Sequence, residues 1–488
     1  MKTLIHFAMI GALMAAVRGA QAKTITVGKT GATHATIQAG LNAAAAGDTV
    51  LVAAGVYGEK VSFGKSGSQA GGWITLKGQA GAIVDGTGLS GDGLISIESK
   101  SYVRLEGFEV RNLKGSGTPI GISISGGGNH IAILSNKVHH IENANGNAHG
   151  IAAYGDAATP ISDLVVDRNE IHSCKLGQSE SMVLNGNVDG FIVSYNVVHD
   201  NDNIGIDFIG YEGTASGALD QARNGKCFGN KVYNISSATN PTYGGERSAD
   251  GIYVDGGRDI VIEGNVIDNC DIGIEIASEH GGKATANITV RSNFASRSWQ
   301  GNIMAGGYAA GKGSAENISI IGNTTYGGHD GELILQFNCK GVAIKNNIFQ
   351  ALSGGSYLEG SGSSNTNITV DNNLYFGGSK TSPGSWPDAH AVYADPKLQG
   401  APANLHLTTG SPAIGAGLVL DAALAGTLDV DGEGRVAGGK PDIGADEFGG
   451  VTRLRPHVTK GIDILMPEGA RDGLGRRIGK AAGTRVRY

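Results

Sequence analysis

Short apolar stretches of period two recur along the chain, most of them ending near an Asn. DIVIEGNVIDN, around Asn265, sets the shape. It returns around Asn136, Asn169, Asn196 and Asn230, and again around Asn293, Asn323, Asn347 and Asn373, roughly 24 to 35 residues apart. Before each Asn stands an apolar residue at a fixed offset: Ile133, Val166, Val193, Cys227, Ile262, Val290, Ile320, Ile344 or Val370. After it, at another fixed offset, stands Val138, Ile171, Val198, Val232, Ile267, Ala295, Thr325, Phe349 or Tyr375. A coil of this length cannot bury its apolar face alone, whereas stacked coils share a continuous core and pair their backbones in parallel ladders. The pattern therefore predicts an all-β solenoid. Its Asn column is expected to occupy left-handed turns and to bond amide to amide from coil to coil.

A second strand series lies between these: HGIAAYG, SMVLNG, IGIDFIG, DGIYVDG, IGIEIAS, GNIMAGG and GELILQF. Alternation turns Ile206/Phe208, Ile252/Val254 and Ile274/Ile276 inward. The outward pairs are then Ala152/Tyr154, Val183/Asn185, Asp207/Ile209, Tyr253/Asp255, Glu275/Ala277, Met304/Gly306 and Ile334/Gln336. Ionisable residues gather on the middle coils, and the ends of the sheet are bland. Parallel strands lie about 4.8 Å apart, so Asp255 and Glu275 are predicted to have Cα atoms on the order of 8 Å apart. Acids this close raise one another's pKa or recruit a cation.

Composition narrows the class. The chain has 488 residues, 81 of them Gly, with 17% charged and 6% aromatic residues, which suits many short strands joined by tight turns. A formal net charge of -7 gives no nucleic-acid footprint. Lys2, the apolar run Leu4 to Val17 and Ala20-Gln21-Ala22 read as a cleaved secretory signal over residues 1–22, implying a secreted or periplasmic protein. No segment reaches membrane-spanning length. The four Cys are expected as buried thiols: Cys227 falls in a core column, and Cys174 and Cys270 stand too many coils apart to bond.

On the repeat, the Asn ladder and the opening TIQAGLNAAAAGDTVLVAAGVYGEKV (Thr36–Val61), residues 23–378 resemble the right-handed parallel β-helix superfamily of pectin-lyase-like proteins. The resemblance implies a right-handed parallel β-helix with an N-terminal capping helix. It also implies a C-terminal cap over 379–450, where LTTGSPAIGAG and KPDIGADEFGG are similar to segments that follow such helices. Residues 451–488, with nine Lys/Arg against three Asp/Glu, read as a basic tail.

The resemblance implies an exported enzyme that cleaves a polysaccharide or oligosaccharide, expected as a monomer, and the acids admit two chemistries. In a polysaccharide lyase, Asp207, Asp255, Glu275 and Glu279 would hold Ca²⁺ against a uronate carboxylate. Tyr253, Arg258 or His280 would then take the neighbouring proton. In a glycoside hydrolase, Asp255 and Glu275 would flank the scissile bond, a layout that looks like that of β-helix xylosidases. Tyr154, Asn185, Tyr211, Glu212, Arg223 and Arg247 are the candidate substrate contacts. His139, His172 and His199 form a separate column on another face, read as structural. A non-catalytic carbohydrate-binding or surface solenoid is the reading from a different class, since the fold alone does not decide function.

Overall fold

The computed structural model describes residues 22–360, 364–379 and 386–450. Most of the signal segment, and the basic tail, lie outside these. Most coils contribute one strand to each of three parallel sheets, of 13, 13 and 11 strands. In one middle coil the strands are Arg258–Glu263, Val266–Cys270 and Ile272–Ala277. The predicted inward columns stack in register, Val193 on Cys227, Cys227 on Ile262 and Ile262 on Val290. They form one core along the solenoid. No helix among the described residues is long and apolar enough to cross a membrane.

The Asn ladder sits at the corner between the first and second sheets. Asn265 Oδ1 accepts both the backbone N–H of Asn230 and its side-chain amide, each at 2.9 Å. The Asn265 amide donates in turn to Asn293 Oδ1 at 2.9 Å and to the Cys227 carbonyl at 3.0 Å. The column therefore satisfies itself, and its last member, Asn373, donates to Asp388. One detail of the expectation is corrected. The ladder residues are not the left-handed ones; the residue before each of them is, as at Tyr195, Gly229, Gly264 and Ser292. The turn thus falls one position earlier and leaves the Asn side chain aimed inward along the stack.

Coils N-terminal to Asn136 carry no ladder Asn. Phe108, buried, holds the equivalent place, and its N–H donates to Asn136 Oδ1. The strands Thr24–Val27, Thr49–Val52, Ile74–Gly78 and Val103–Glu106 therefore belong to the first sheet without the sequence marker. Below them helix Ile37–Ala43 caps the open end with Ile37 and Leu41, and Thr36 accepts from the Ala39 N–H as its N-cap. At the other end, residues after 386 pack along the outside of the last coils. Arg291 donates to the carbonyls of Ala423 and Leu424, and Asn346 to that of Leu418. All four Cys are buried and free.

Replacing Asn265 with Ala should leave the Asn230 backbone N–H without its acceptor and remove the side-chain bonds to the Asn230 amide, Asn293 Oδ1 and the Cys227 carbonyl. The expected cost is at least about 2 kcal/mol, read as a lower denaturant midpoint. An unchanged midpoint would remove the ladder from this account of stability.

Candidate functional site

The third sheet carries the ionisable column as the alternation predicts: Asp207 pairs with Tyr253, and Tyr253 with Glu275. A cleft of about 540 Å³ opens over this sheet. Its floor is Tyr154, Asn185, Asp207, Ile209, Tyr253 and Asp255, and Glu212 and Glu279 rise at one edge. His149, Glu180 and Tyr243 complete the lining. Neither Lys nor Arg is among the residues lining it.

The insertion Ser236–Ser248 builds one wall. Its Asn240 amide donates to the carbonyls of Gly177 and Asp202, and the Thr242 hydroxyl reaches the Ala144 carbonyl, on coils below its own. Asp271, fully buried, pins the base of the loop by accepting from Ser236 Oγ and from the Ser237 and Ala249 N–H groups. The loop is rigid for that reason, and it holds Tyr243 over the cleft, where the phenol oxygen accepts from the Asn203 amide.

Burial sets the electrostatics. Asp207 is 2% exposed and Asp255 5%. Desolvation lifts both carboxyls well above the usual range, helped by Glu180 and Asp255 around Asp207, and by Glu279 and Glu212 around Asp255. Glu180 is pushed up to about 8 by burial, with Glu212 and Glu279 adding to it. Asp207 Oδ1 and Asn185 Oδ1 are buried acceptors with no hydrogen-bond partner. Such oxygens, facing a cleft without a cationic side chain, fit a bound cation.

Beside them, in the same cleft, lies a hydrogen-bonded chain. The Tyr154 hydroxyl donates to His149 Nε2 at 2.9 Å. His149 Nδ1 lies 3.2 Å from the Glu180 carbonyl and 3.4 Å from Glu180 Oε2. Burial lowers the His149 pKa to about 4, so the ring is neutral, and these partners set the tautomer with its proton on Nδ1. The phenol of Tyr154 is raised, first by burial and then by Glu180 and Asp207. Tyr154 thus enters the cleft as a neutral phenol whose proton has a waiting acceptor.

Several sequence candidates meet here and others do not. Tyr154, Asn185, Asp207, Glu212, Tyr253, Asp255 and Glu279 line the cleft. His280 stands at the rim, its Nε2 2.8 Å from Glu212 Oε1. Glu275 keeps its register position, but its carboxyl turns to Asp250 and Gln336 and is held up to about 7, first by burial. Asp250 and Glu275 meet carboxyl to carboxyl, a contact that needs one proton between them.

The arginines are a correction. Arg223 and Arg258 are register partners on the first sheet, tied to Asp189 and Asp259, and do not line the cleft. Arg247 lies on the far side of the wall loop, over the Trp299 ring and against Asp271. Tyr211 is also outside the lining; its hydroxyl donates to the Ala284 carbonyl and its ring lies under Lys283. In each case an acid or carbonyl has taken the side chain: for Arg258 it is the next residue, Asp259, and for the others a partner that sequence spacing does not reveal. His149, Glu180, Tyr243 and Asp250 were not among the candidates. Coil length is a signal that could have marked two of the walls: Asn196 to Asn230 and Asn230 to Asn265 span 34 and 35 residues, the stretches that carry Glu212 and Tyr243, whereas Glu180 lies in the 27-residue stretch from Asn169 to Asn196. The expected His column does form, with rings of His139, His172, His199 and Tyr233 stacked 4.8 to 5.0 Å apart on the second sheet.

Comparison with known proteins agrees with this architecture. The family described as "Right handed beta helix region" matches residues 219–386. A Bacillus subtilis (strain 168) protein, "Uncharacterized protein YwoF", is 36% identical over 348 residues, covering 68% of this chain and 74% of that one. Among solved structures, the Azotobacter vinelandii mannuronan C-5 epimerase AlgE6 A-module superposes with a TM-score of 0.52 at 14% identity, over 74% of this chain and 94% of that one. Pectate lyase Pel9A gives 0.49 at 15% identity, over 87% and 96%. At 14% identity the likeness to the AlgE6 A-module is one of fold.

The raised carboxyls predict a direction with pH. Glu180 and Glu275, lifted from 4.5 to about 8 and about 7, keep protons in the folded protein that the unfolded chain has released. Their contribution is complete below the ordinary carboxyl range and is lost as pH rises through those values. Neutral His149 works oppositely, but only up to its unfolded value of 6.5. Between about 6.5 and about 8, the melting temperature of chelator-treated protein should fall, and Glu180→Gln should flatten that fall. A wild-type profile that is level or rising across this interval would contradict the assignment.

Proposed function

Because the chain belongs to the pectin-lyase-like right-handed parallel β-helix family, we propose that it is a carbohydrate-active enzyme acting by β-elimination on a uronate-containing polysaccharide. One observation carries the reading: the Tyr154–His149–Glu180 chain and the carboxylates Asp207 and Asp255 line a single cleft. Elimination needs a base beside the sugar and charge neutralisation at its carboxylate, and this cleft offers groups for both.

Tyr154 hands its proton to His149 Nε2 as it takes the proton beside the uronate carboxylate, and recovers one from His149 when it has protonated the leaving group. The electrons of that C–H bond form the new double bond, the glycosidic C–O bond breaks, and the leaving oxygen regains a proton from Tyr154. Glu180 holds the imidazole in the tautomer that accepts. Asp207 and Asn185, with their unpartnered oxygens, and Glu279 beside them, are the residues that would hold Ca²⁺. An ion bound there would neutralise the substrate carboxylate and acidify the adjacent proton. Glu275, engaged with Asp250, falls outside that set.

A hydrolytic reading keeps the support of one feature, the Glu275 carboxyl held up to about 7, where a general acid works well. It pairs Glu275 with Asp255, and the absence of Lys and Arg from the lining suits a neutral sugar. The two readings part on the product. We expect uronate polysaccharides to give an unsaturated, ultraviolet-absorbing product that chelators suppress. Tyr154→Phe and His149→Ala should each lower the rate by at least about two orders of magnitude. Reducing ends without new absorbance would replace the lyase reading with the hydrolytic one, and full activity in both variants would remove the proton chain from the mechanism.

The N-terminal Lys2, the apolar run to Val17 and Ala20-Gln21-Ala22 support export as part of the same reading. Sequencing of the mature protein is expected to start at Lys23, and a cytoplasmic product retaining Met1 would refute it.

A further inference from the structure

At the rim of the cleft, successive coils each deliver one donor group to the same place. Glu212 follows strand Ile206–Ile209, Asp255 ends strand Asp250–Asp255, and His280 follows strand Ile272–Ala277. One ligand atom from each lies within 4.8 Å of the others. Asp255 is held by the Glu279 N–H, which donates to its Oδ1 at 2.9 Å. His280 is steadied by the edge of the Tyr211 ring, 6.5 Å between centroids, and Tyr211 is itself fixed by its bond to the Ala284 carbonyl. Asp207, whose buried Oδ1 lacks a partner, lies on the next strand and accepts the Asp255 backbone N–H. Asp255 is buried, whereas the Glu212 and His280 side chains are 46% and 33% exposed, which leaves an entry path.

The donors are one imidazole nitrogen and two carboxylates. Calcium prefers an all-oxygen shell, and imidazole suits zinc and its neighbours. Three protein ligands with an open position are the usual form of a reactive zinc centre. We propose that Glu212, Asp255 and His280 form a site for Zn²⁺ that clips successive coils together at the cleft rim, distinct in its donor chemistry from the oxygen-rich floor at Asp207 and Asn185. The clip would replace the Glu212–His280 contact with bonds to the ion and join the loop that carries Glu212 to the segment that carries His280. It does not depend on the lyase reading, because binding needs no substrate.

The test is calorimetric titration and thermal melting of the intact, chelator-stripped protein with Zn²⁺ alone and Ca²⁺ alone. One strong Zn²⁺ site per chain and a raised melting temperature are expected. His280→Ala and Glu212→Gln, both at partly exposed positions, should each weaken Zn²⁺ binding at least about tenfold and leave the response to Ca²⁺ unchanged. Asp207→Asn should do the reverse. The proposal is overturned if Zn²⁺ binding survives both rim variants, if His172→Ala abolishes it and so moves it to the stacked histidines, or if Ca²⁺ occupies the rim as tightly as Zn²⁺. A protein that fails to make an unsaturated product yet binds Zn²⁺ through His280 would sink the lyase reading and leave this one standing.

Discussion

Parallel stacking in strict register is the constraint on which everything else rests. A parallel coil has no local partner for its backbone, so every coil depends on the one above and below. The Asn column makes that dependence specific. Each side-chain amide spans two coils, accepting from one neighbour and donating to the next, and the left-handed residue just before it aims the side chain inward. A slip of one residue would turn Ile252 and Val254 out and Tyr253 and Asp255 in. The same register that buries the core therefore also lines up Asp207, Tyr253 and Glu275 on the outer face.

That rigidity permits an electrostatic arrangement a flexible surface would relax. Asp207, Asp255, Glu180, Asp250 and Glu275 are crowded and largely desolvated, and not all of them can be ionised together at neutral pH. Free loops would separate such groups into water. Held on adjacent strands they must share protons, as Asp250 and Glu275 do, or meet a cation. The hydrogen-bonded pair Tyr154–His149 faces them from the same sheet, so proton acceptors and raised acids stand on one rigid platform.

The walls come from irregular insertions anchored by buried polar groups. Asp271 holds both ends of the loop that carries Tyr243, and Asp220 holds the loop that carries Glu212 by accepting from the Gly213 and Ala215 N–H groups. These pins convert long coils into fixed cleft edges. They also explain why the insertions can vary in length without disturbing the core, which lies on the other face of the same strands.

The sequence alone determined the solenoid, its inward columns, the sheet that bears the acids and the membership of Tyr154, Asn185, Asp207, Tyr253 and Asp255 in one outward face. Period-two alternation and a recurring Asn are local signals, and stacking converts local periodicity directly into columns. The first coils escaped because Phe108 takes the ladder position there. Tertiary structure alone decided which side chains reach the cleft from outside the strands. Arg223, Arg258 and Arg247 are drawn away by Asp189, Asp259 and Asp271, while His149, Glu180 and Tyr243 are brought in. Glu275 shows the same limit within a strand: register placed its Cα, but the carboxyl turned to Asp250 on the neighbouring coil. Alternation says which way a strand residue points. What it meets there depends on corners and loops whose path is set by contacts between residues tens of positions apart, and no pattern along the chain encodes those.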